Sequence, residues 1–125
     1  MSEATISVPN AILFVMDPTN KGVRVPEYAS GKVVAANATC ASVATVAEVD
    51  GEVTVRLLDW SGGVLPEGFL LAYDGVLETP TRIVAIVTSH FERVLEANVS
   101  GRATRVLIGV DDAASPATVL VQVQS

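Results

Sequence analysis

Apolar and polar residues alternate with a period of two over most of this chain, the signature of strands whose successive side chains point to opposite faces of a sheet. The longest such stretch is residues 81–112, TRIVAIVTSHFERVLEANVSGRATRVLIGVDD, which predicts three consecutive strands with a turn between each pair. In the first, Ile83, Ala85 and Val87 fall on one face and Arg82, Val84, Ile86 and Thr88 on the other, so both faces are largely apolar and the strand belongs inside a sheet. In the second, at 90–98, Phe91, Leu95 and Ala97 oppose Glu92 and Glu96, which puts one face in water. Ser100-Gly101 predicts a hairpin turn. The third run sets Thr104, Val106, Ile108 and Val110 against Ala103, Arg105, Leu107 and Gly109 and ends at Asp111-Asp112. The trio is expected to form much of one sheet.

Upstream, residues 5–8 and 11–16 read as one strand interrupted at Pro9 or as two short ones, and proline, which lacks a ladder N–H, marks a sheet edge. Residues 17–22 are turn formers; 26–30 predict one helical turn that starts on Pro26 and stops at Gly31, and 33–38 are extended or irregular. Residues 39–49 and 52–58 predict a hairpin over a type I′ turn at Asp50-Gly51, with Val53, Val55 and Leu57 facing in. After a loop at 59–63 and a turn at 65–68, residues 69–73 and 76–79 predict a second hairpin over Asp74-Gly75. A last strand at 117–124 places Val119, Val121 and Val123 on one face and Thr118, Gln122 and Gln124 on the other. About eight or nine strands separated by turns predict an all-β fold, an antiparallel β-sandwich forming one domain over residues 1–125. Its expected core is Ile12, Phe14, Val43, Val53, Val55, Leu57, Leu71, Ile83, Val87, Leu95, Val106, Ile108, Val119 and Val121.

Composition sharpens this picture. Valine is the commonest residue, with 22 copies, and its branched Cβ favours strands over helices. Charged residues make up 18% of the chain, below the roughly 25% usual for globular domains, which leaves apolar surface for a partner or a second copy. The net charge is −6, and each half of the chain carries more acids than bases, so no basic patch exists to neutralise phosphates and nucleic-acid binding is not expected. A basic protein is the natural electrostatic complement. The N-terminal residues lack the basic and apolar regions of a signal peptide, no apolar run reaches membrane-spanning length, and the single cysteine, Cys40, has no internal disulfide partner; a cytoplasmic protein without a membrane association is the expectation.

Catalytic equipment is sparse. His90 is the lone histidine, so a histidine metal cluster cannot form, and neither a G-x-S-x-G elbow nor a phosphate-cradling glycine motif is present. Cys40 has no neighbouring base in the sequence and reads as a small buried thiol. Asp111 and Asp112, with Asp17, Asp59 or Asp74 near in space, could supply oxygens for calcium, but EF-hand spacing is missing and turn capping is the simpler use of such acids. Neither a cofactor nor a metal is expected. Trp60 sits beside Gly62 and Gly63, either folded back as a lid on the core or exposed as an interface anchor.

The opening TISVPNAILFVMD, a linker ending in Gly31, then CASVATVAEVDGEVTVRLLD and IVAIVTSHFERVLEANVSGRATRVLIGVDD, resemble in order and spacing the β-framework of the competence protein J family, small bacterial inhibitors of a nuclease that acts during DNA uptake. The likeness covers about two-thirds of the chain. The linker at 23–32 departs from the family pattern, being short and lacking a longer helix-like, aromatic-containing stretch, so no functional residue is carried over. The resemblance implies a non-enzymatic protein-binding role, as an inhibitor or immunity-like partner of a basic enzyme such as a nuclease. The alternative from another class is a self-associating structural β-protein, and homo-oligomerisation stays open. The residues expected to meet a partner are Asp111, Asp112, Asp74, Trp60 and Tyr73.

Overall fold

Among the described residues ten strands form two sheets of five that pack face to face. The computed structural model describes residues 2–27 and 31–125, so the predicted helical turn at 26–30 falls, at 28–30, outside the described residues. One sheet takes β1 (Ser2–Ile6), β5 (Val53–Asp59), β10 (Thr118–Gln124), β9 (Ala103–Val110) and β6 (Leu70–Glu78), in that order. The other takes β3 (Val34–Ala36), β4 (Cys40–Ala44), β2 (Ile12–Met16), β7 (Ile83–Thr88) and β8 (Arg93–Asn98). Every pair is antiparallel except β5 with β10, which run parallel in the register Val55↔Val119.

The alternation of the sequence becomes the core. Val53, Val55 and Leu57 of β5, Val106, Ile108 and Val110 of β9 and Val119, Val121 and Val123 of β10 face Leu13, Val15, Val43, Val84 and Ile86 of the opposite sheet, all at most 2% exposed. A smaller apolar cluster covers the outer face of the second sheet: Phe14, Met16, Cys40, Ala85 and Val87, with Ile12 and Val23 against it. This second cluster is why the expected core was out of phase in β2 and β7. Both faces of these strands are buried, so no polar residue marks which one looks inward. Leu71 is a further correction, since it lies 59% exposed on the β6 edge.

Three predicted hairpins are crossings or straight strand. Asp50 ends a short 3-10 turn (Glu48–Asp50) and Gly51 caps it, where the chain leaves β4 for β5 in the other sheet. Hydrogen bonds from Thr45 N–H to Ala11 O and from Val46 N–H to Pro116 O hold that corner. Ser100-Gly101 is likewise a corner: β8 and β9 belong to different sheets, which divides the central trio. There the buried Thr79 hydroxyl donates to Gly101 O (2.8 Å) and meets Thr104 Oγ1 (2.9 Å). Asp74-Gly75 is no turn at all, because β6 runs unbroken through it with a bulge at Leu71–Tyr73. Glycine at 75 leaves room for the Tyr73 ring, whose hydroxyl end a Cβ there would overlap unless the ring moved. Pro9 lies in the connection from β1, an edge strand, to β2 in the other sheet, which settles the opening segment as two strands.

Gly51 keeps a demanding conformation even though its hairpin is absent. Its φ of 139° and ψ of −174° lie in a region essentially reserved for glycine, and a Cβ there would meet nothing within 4 Å. Gly51→Val should therefore destabilise through backbone strain alone, by about 1–3 kcal/mol. Urea titration should show a lower midpoint at unchanged slope; an unmoved midpoint would mean the corner relaxes freely.

Candidate protein-binding surface

The loop between β5 and β6 decides what the first sheet shows to solvent. It doubles back over the outer face of that sheet, where the Gln122 side chain, 1% exposed, holds it at two points: Gln122 Nε2 donates to Val64 O (2.9 Å), and Ser61 N–H donates to Gln122 Oε1 (3.3 Å). Trp60 N–H donates to Val123 O (2.9 Å), starting the loop off the parallel β5–β10 pair. Beneath this cover Leu107 and Leu120 are buried on what would otherwise be a wet face. Gln122, expected on the polar face, is polar there because the loop backbone needs its amide.

Trp60 is half-buried at the rim of this cover, and the Arg105 guanidinium sits 4.7 Å from its ring centroid. Arg105 in turn donates two hydrogen bonds to Asp74, Nε to Oδ1 at 3.0 Å and Nη2 to Oδ2 at 2.9 Å. The fork holds the Asp74 carboxyl below its ordinary value of 3.8, chiefly through those hydrogen bonds. A lowered carboxylate pKa means that whatever the pair contributes is present above pH 3.8 and is lost as pH falls through the lower folded value, so the stack persists at neutral pH.

Trp60 thus lies against Gly63 in the loop that covers the sheet and stays partly exposed beside a paired arginine. Tyr73 lies on the opposite side of β6 from Asp74, half-buried against the main core, and burial followed by the nearby Asp74 charge raises its phenol pKa. Asp111 and Asp112 stand past the end of β9, where they cap the turn into β10. Asp112 Oδ1 accepts the N–H groups of Ala114 and Ser115 (both 2.8 Å), and these bonds hold its carboxyl below the usual range. Asp111 Oδ1 accepts those of Ala117 (3.0 Å) and Thr118 (3.1 Å). The structure therefore joins Trp60 with Asp74, sets Tyr73 on the other face, and gives the two C-terminal acids a separate place at the strand end.

Arg105 is the residue that sequence reasoning passed over. Its outward position in β9 was readable, but its pairing with Asp74 depends on the register Val76↔Arg105, which the supposed Asp74-Gly75 hairpin concealed. Also hidden was the apolar edge beside it. Among the described residues, Val64 (70% exposed), Leu70 (52%), Leu71 (59%) and Val76 (57%) are four of the seven large exposed hydrophobics; the last three lie on β6 and Val64 in the loop leading to it.

Elsewhere the chemistry is structural. His90 is exposed in the β7–β8 turn, with its backbone N–H donating to Thr88 Oγ1 (3.2 Å). Cys40 is fully buried and its thiol is pushed up to about 12 by that burial, which keeps it protonated and unreactive at neutral pH. A cleft of about 240 Å³ beside β3 has, among the described residues, Lys32 as its one ionisable lining residue, beside Ile12, Pro26, Val33 and Ser42. The acids weighed as calcium ligands are kept apart: Asp17 is buried on two threonines, Asp74 is paired with Arg105, and Asp111 and Asp112 cap backbone, and no metal-ligating cluster occurs among the described residues. No helix among those residues is long and apolar enough to cross a membrane.

No family model matches the chain, and no curated protein matches it. Among solved structures it is similar to the crystal structure of ComJ, inhibitor of the DNA degrading activity of NucA, from Bacillus subtilis. The match has a TM-score of 0.69 at 12% sequence identity and covers 100% of this chain and 96% of that one. The likeness read from three sequence segments is thus a likeness of framework along the whole chain: this protein is a two-sheet β-sandwich with the fold of ComJ.

Proposed function

We propose that this protein is a non-enzymatic binding module that inhibits a basic enzyme of the DNA-degrading kind by covering part of its surface. The observation that supports the reading is the composite patch on the first sheet: Trp60 and Arg105 stacked and locked by Asp74, bordered by exposed Leu71 and Val76 on the same face of β6 and by exposed Val64 in the loop that covers that face. Tryptophan and arginine dominate binding hot spots, and a guanidinium already held by a carboxylate loses little freedom on docking. The fold shared with ComJ, itself an inhibitor of the DNA degrading activity of NucA, favours a nuclease as the partner. The surplus of acids favours a basic one and disfavours direct contact with nucleic acid. Asp111 and Asp112 belong to this proposal as steering charges at one end of the patch-bearing sheet, a role compatible with their turn capping because only part of each carboxylate is used.

Adding the purified protein to a NucA-type nuclease should slow degradation of plasmid DNA in proportion to the amount added, levelling off near one equivalent. Unchanged degradation at a large excess would refute the nuclease assignment. The association rate should fall as salt rises through the range where the screening length is about 10 Å, with equilibrium affinity responding less. Replacing Asp111 and Asp112 together by Asn, which keeps a side-chain oxygen for the backbone N–H groups, should slow association while the far-UV spectrum stays native. A rate indifferent to both changes would leave the apolar patch alone to account for binding.

A further inference from the structure

The strand β6 borders the patch and has one strand partner, β9, among the described residues. Its hydrogen-bonding sides can be assigned from two bonds: Thr79 N–H donates to Arg102 O, toward β9, whereas Glu78 N–H points away and donates to Ala38 O (2.8 Å). Alternation in an antiparallel ladder then turns the N–H and C=O of Val76 and Asp74 to the open side as well. Ala38 closes the edge at Glu78 and leaves it open at the two residues before.

Edges this long are usually blunted by charge, proline or a cover. The other sheet's edge strand β8 carries a charged pair, Arg93 with Glu96 at 3.0 Å, and its other edge, β3, has three residues. β6 has nine residues and no proline; its bulge lies ahead of Asp74 at Leu71–Tyr73, its edge charges are acidic only, which repels acidic strands and admits basic ones, and Leu70, Leu71 and Val76 are exposed along it. Its outward face reads Asp74, Val76, Glu78, an acid-apolar-acid pattern at every second position. We propose that this edge binds its partner by strand addition, and that the incoming segment is an extended stretch of a basic protein with basic residues flanking an apolar one at every second position. Main-chain bonds to Asp74 and Val76 supply the attachment, and cross-strand pairs with the acid-apolar-acid face select the sequence.

A second copy fits this edge less well. Pairing centred on Asp74 or on Val76 opposes acids to one another, pairing centred on Gly75 sets Asp74 against Val76 and gives neither acid a basic partner, and each copy brings a net charge of −6.

The inference rests on the reading of the protein as a binding module, and its test leaves the nuclease out so that the two can fail separately. The probe is a capped seven-residue peptide, Thr-Lys-Thr-Val-Thr-Lys-Thr, which sets lysine, valine and lysine on one strand face, added to the isotope-labelled full chain and followed by amide NMR. Binding should shift the Asp74 and Val76 amides and slow their exchange with solvent at least tenfold, while the Glu78 amide, already bonded, changes little. Val76→Pro removes an outward N–H without touching the β9 ladder and should weaken binding at least tenfold; a native-like amide spectrum verifies its fold. Independently of that variant, the same peptide methylated on alternate backbone nitrogens should fail to bind the unmodified protein. Binding that leaves exchange at Asp74 and Val76 unaltered would overturn the proposal, as would the absence of binding at millimolar peptide. Protection of those amides that grows with protein concentration alone would overturn it in favour of a second copy.

Discussion

Val55→Asp should abolish the cooperative unfolding transition, or lower its midpoint by tens of degrees. Val55 is 0% exposed and lies between Ala4 of β1 and Val119 of β10, so strands close it in on both sides and the opposite sheet closes it in from above. A carboxylate placed there has no cation or N–H to meet it, and an unpaired buried charge costs about 4 kcal/mol or more, a large share of the roughly 5–15 kcal/mol that holds a domain together. The neighbouring Thr54 calibrates the result. Its side chain is half-buried on the outer face and meets Thr5 Oγ1 at 3.1 Å, so Thr54→Asp should cost about 1 kcal/mol or less. Thermal melts in which Thr54→Asp is the more damaging change would reverse the inward and outward faces of β5.

That pair of residues also shows where the sequence could be read and where it could not. β5, β9 and β10 alternate cleanly, because one face of each meets the core while the other carries Thr54, Arg56, Arg105 and Gln122, and period and phase were both recoverable. Strand existence was legible nearly everywhere for the same reason, and so was the sandwich. Strand pairing was not. Asp50-Gly51, Asp74-Gly75 and Ser100-Gly101 share the composition of tight hairpin turns, yet two are corners between sheets and the third is a strand interior with a tyrosine ring lying over its glycine. A dipeptide reports what the backbone can do locally; whether the next strand returns beside the last or crosses to the other sheet is decided by burial of both faces, to which contacts distant in sequence contribute. The candidate surface inherited this limit. Asp74, Trp60 and Tyr73 could be picked out singly, while Arg105, which binds two of them into one unit, becomes visible only once β6 and β9 are in register.

Asp17 carries the second large effect, and its signal in the sequence was misleading. It stands in a run of turn formers, yet it is 0% exposed. Its carboxylate accepts the N–H of Thr81 (2.7 Å), the N–H of Thr19 (3.2 Å) and the hydroxyls of both threonines, tying the loop after β2 to the corner before β7. No cation among the described residues takes part. Four donors replace the lost water, which is how a buried carboxylate is tolerated without an ion pair. Asp17→Ala should leave the Thr81 and Thr19 donors without their acceptor and destabilise by about 2–4 kcal/mol. Asp17→Asn separates loss of shape from loss of acceptors: the amide fills the same space but turns an NH₂ group toward donors on one side, so it should recover only part of the loss. Urea titrations of the three proteins decide the matter. If Asp17→Asn is as stable as the unsubstituted chain, one oxygen suffices and the bond to Thr81 N–H or the pair to Thr19 is dispensable. If Asp17→Ala costs under about 1 kcal/mol, the joint between the two loops is held by its threonines and not by the carboxylate.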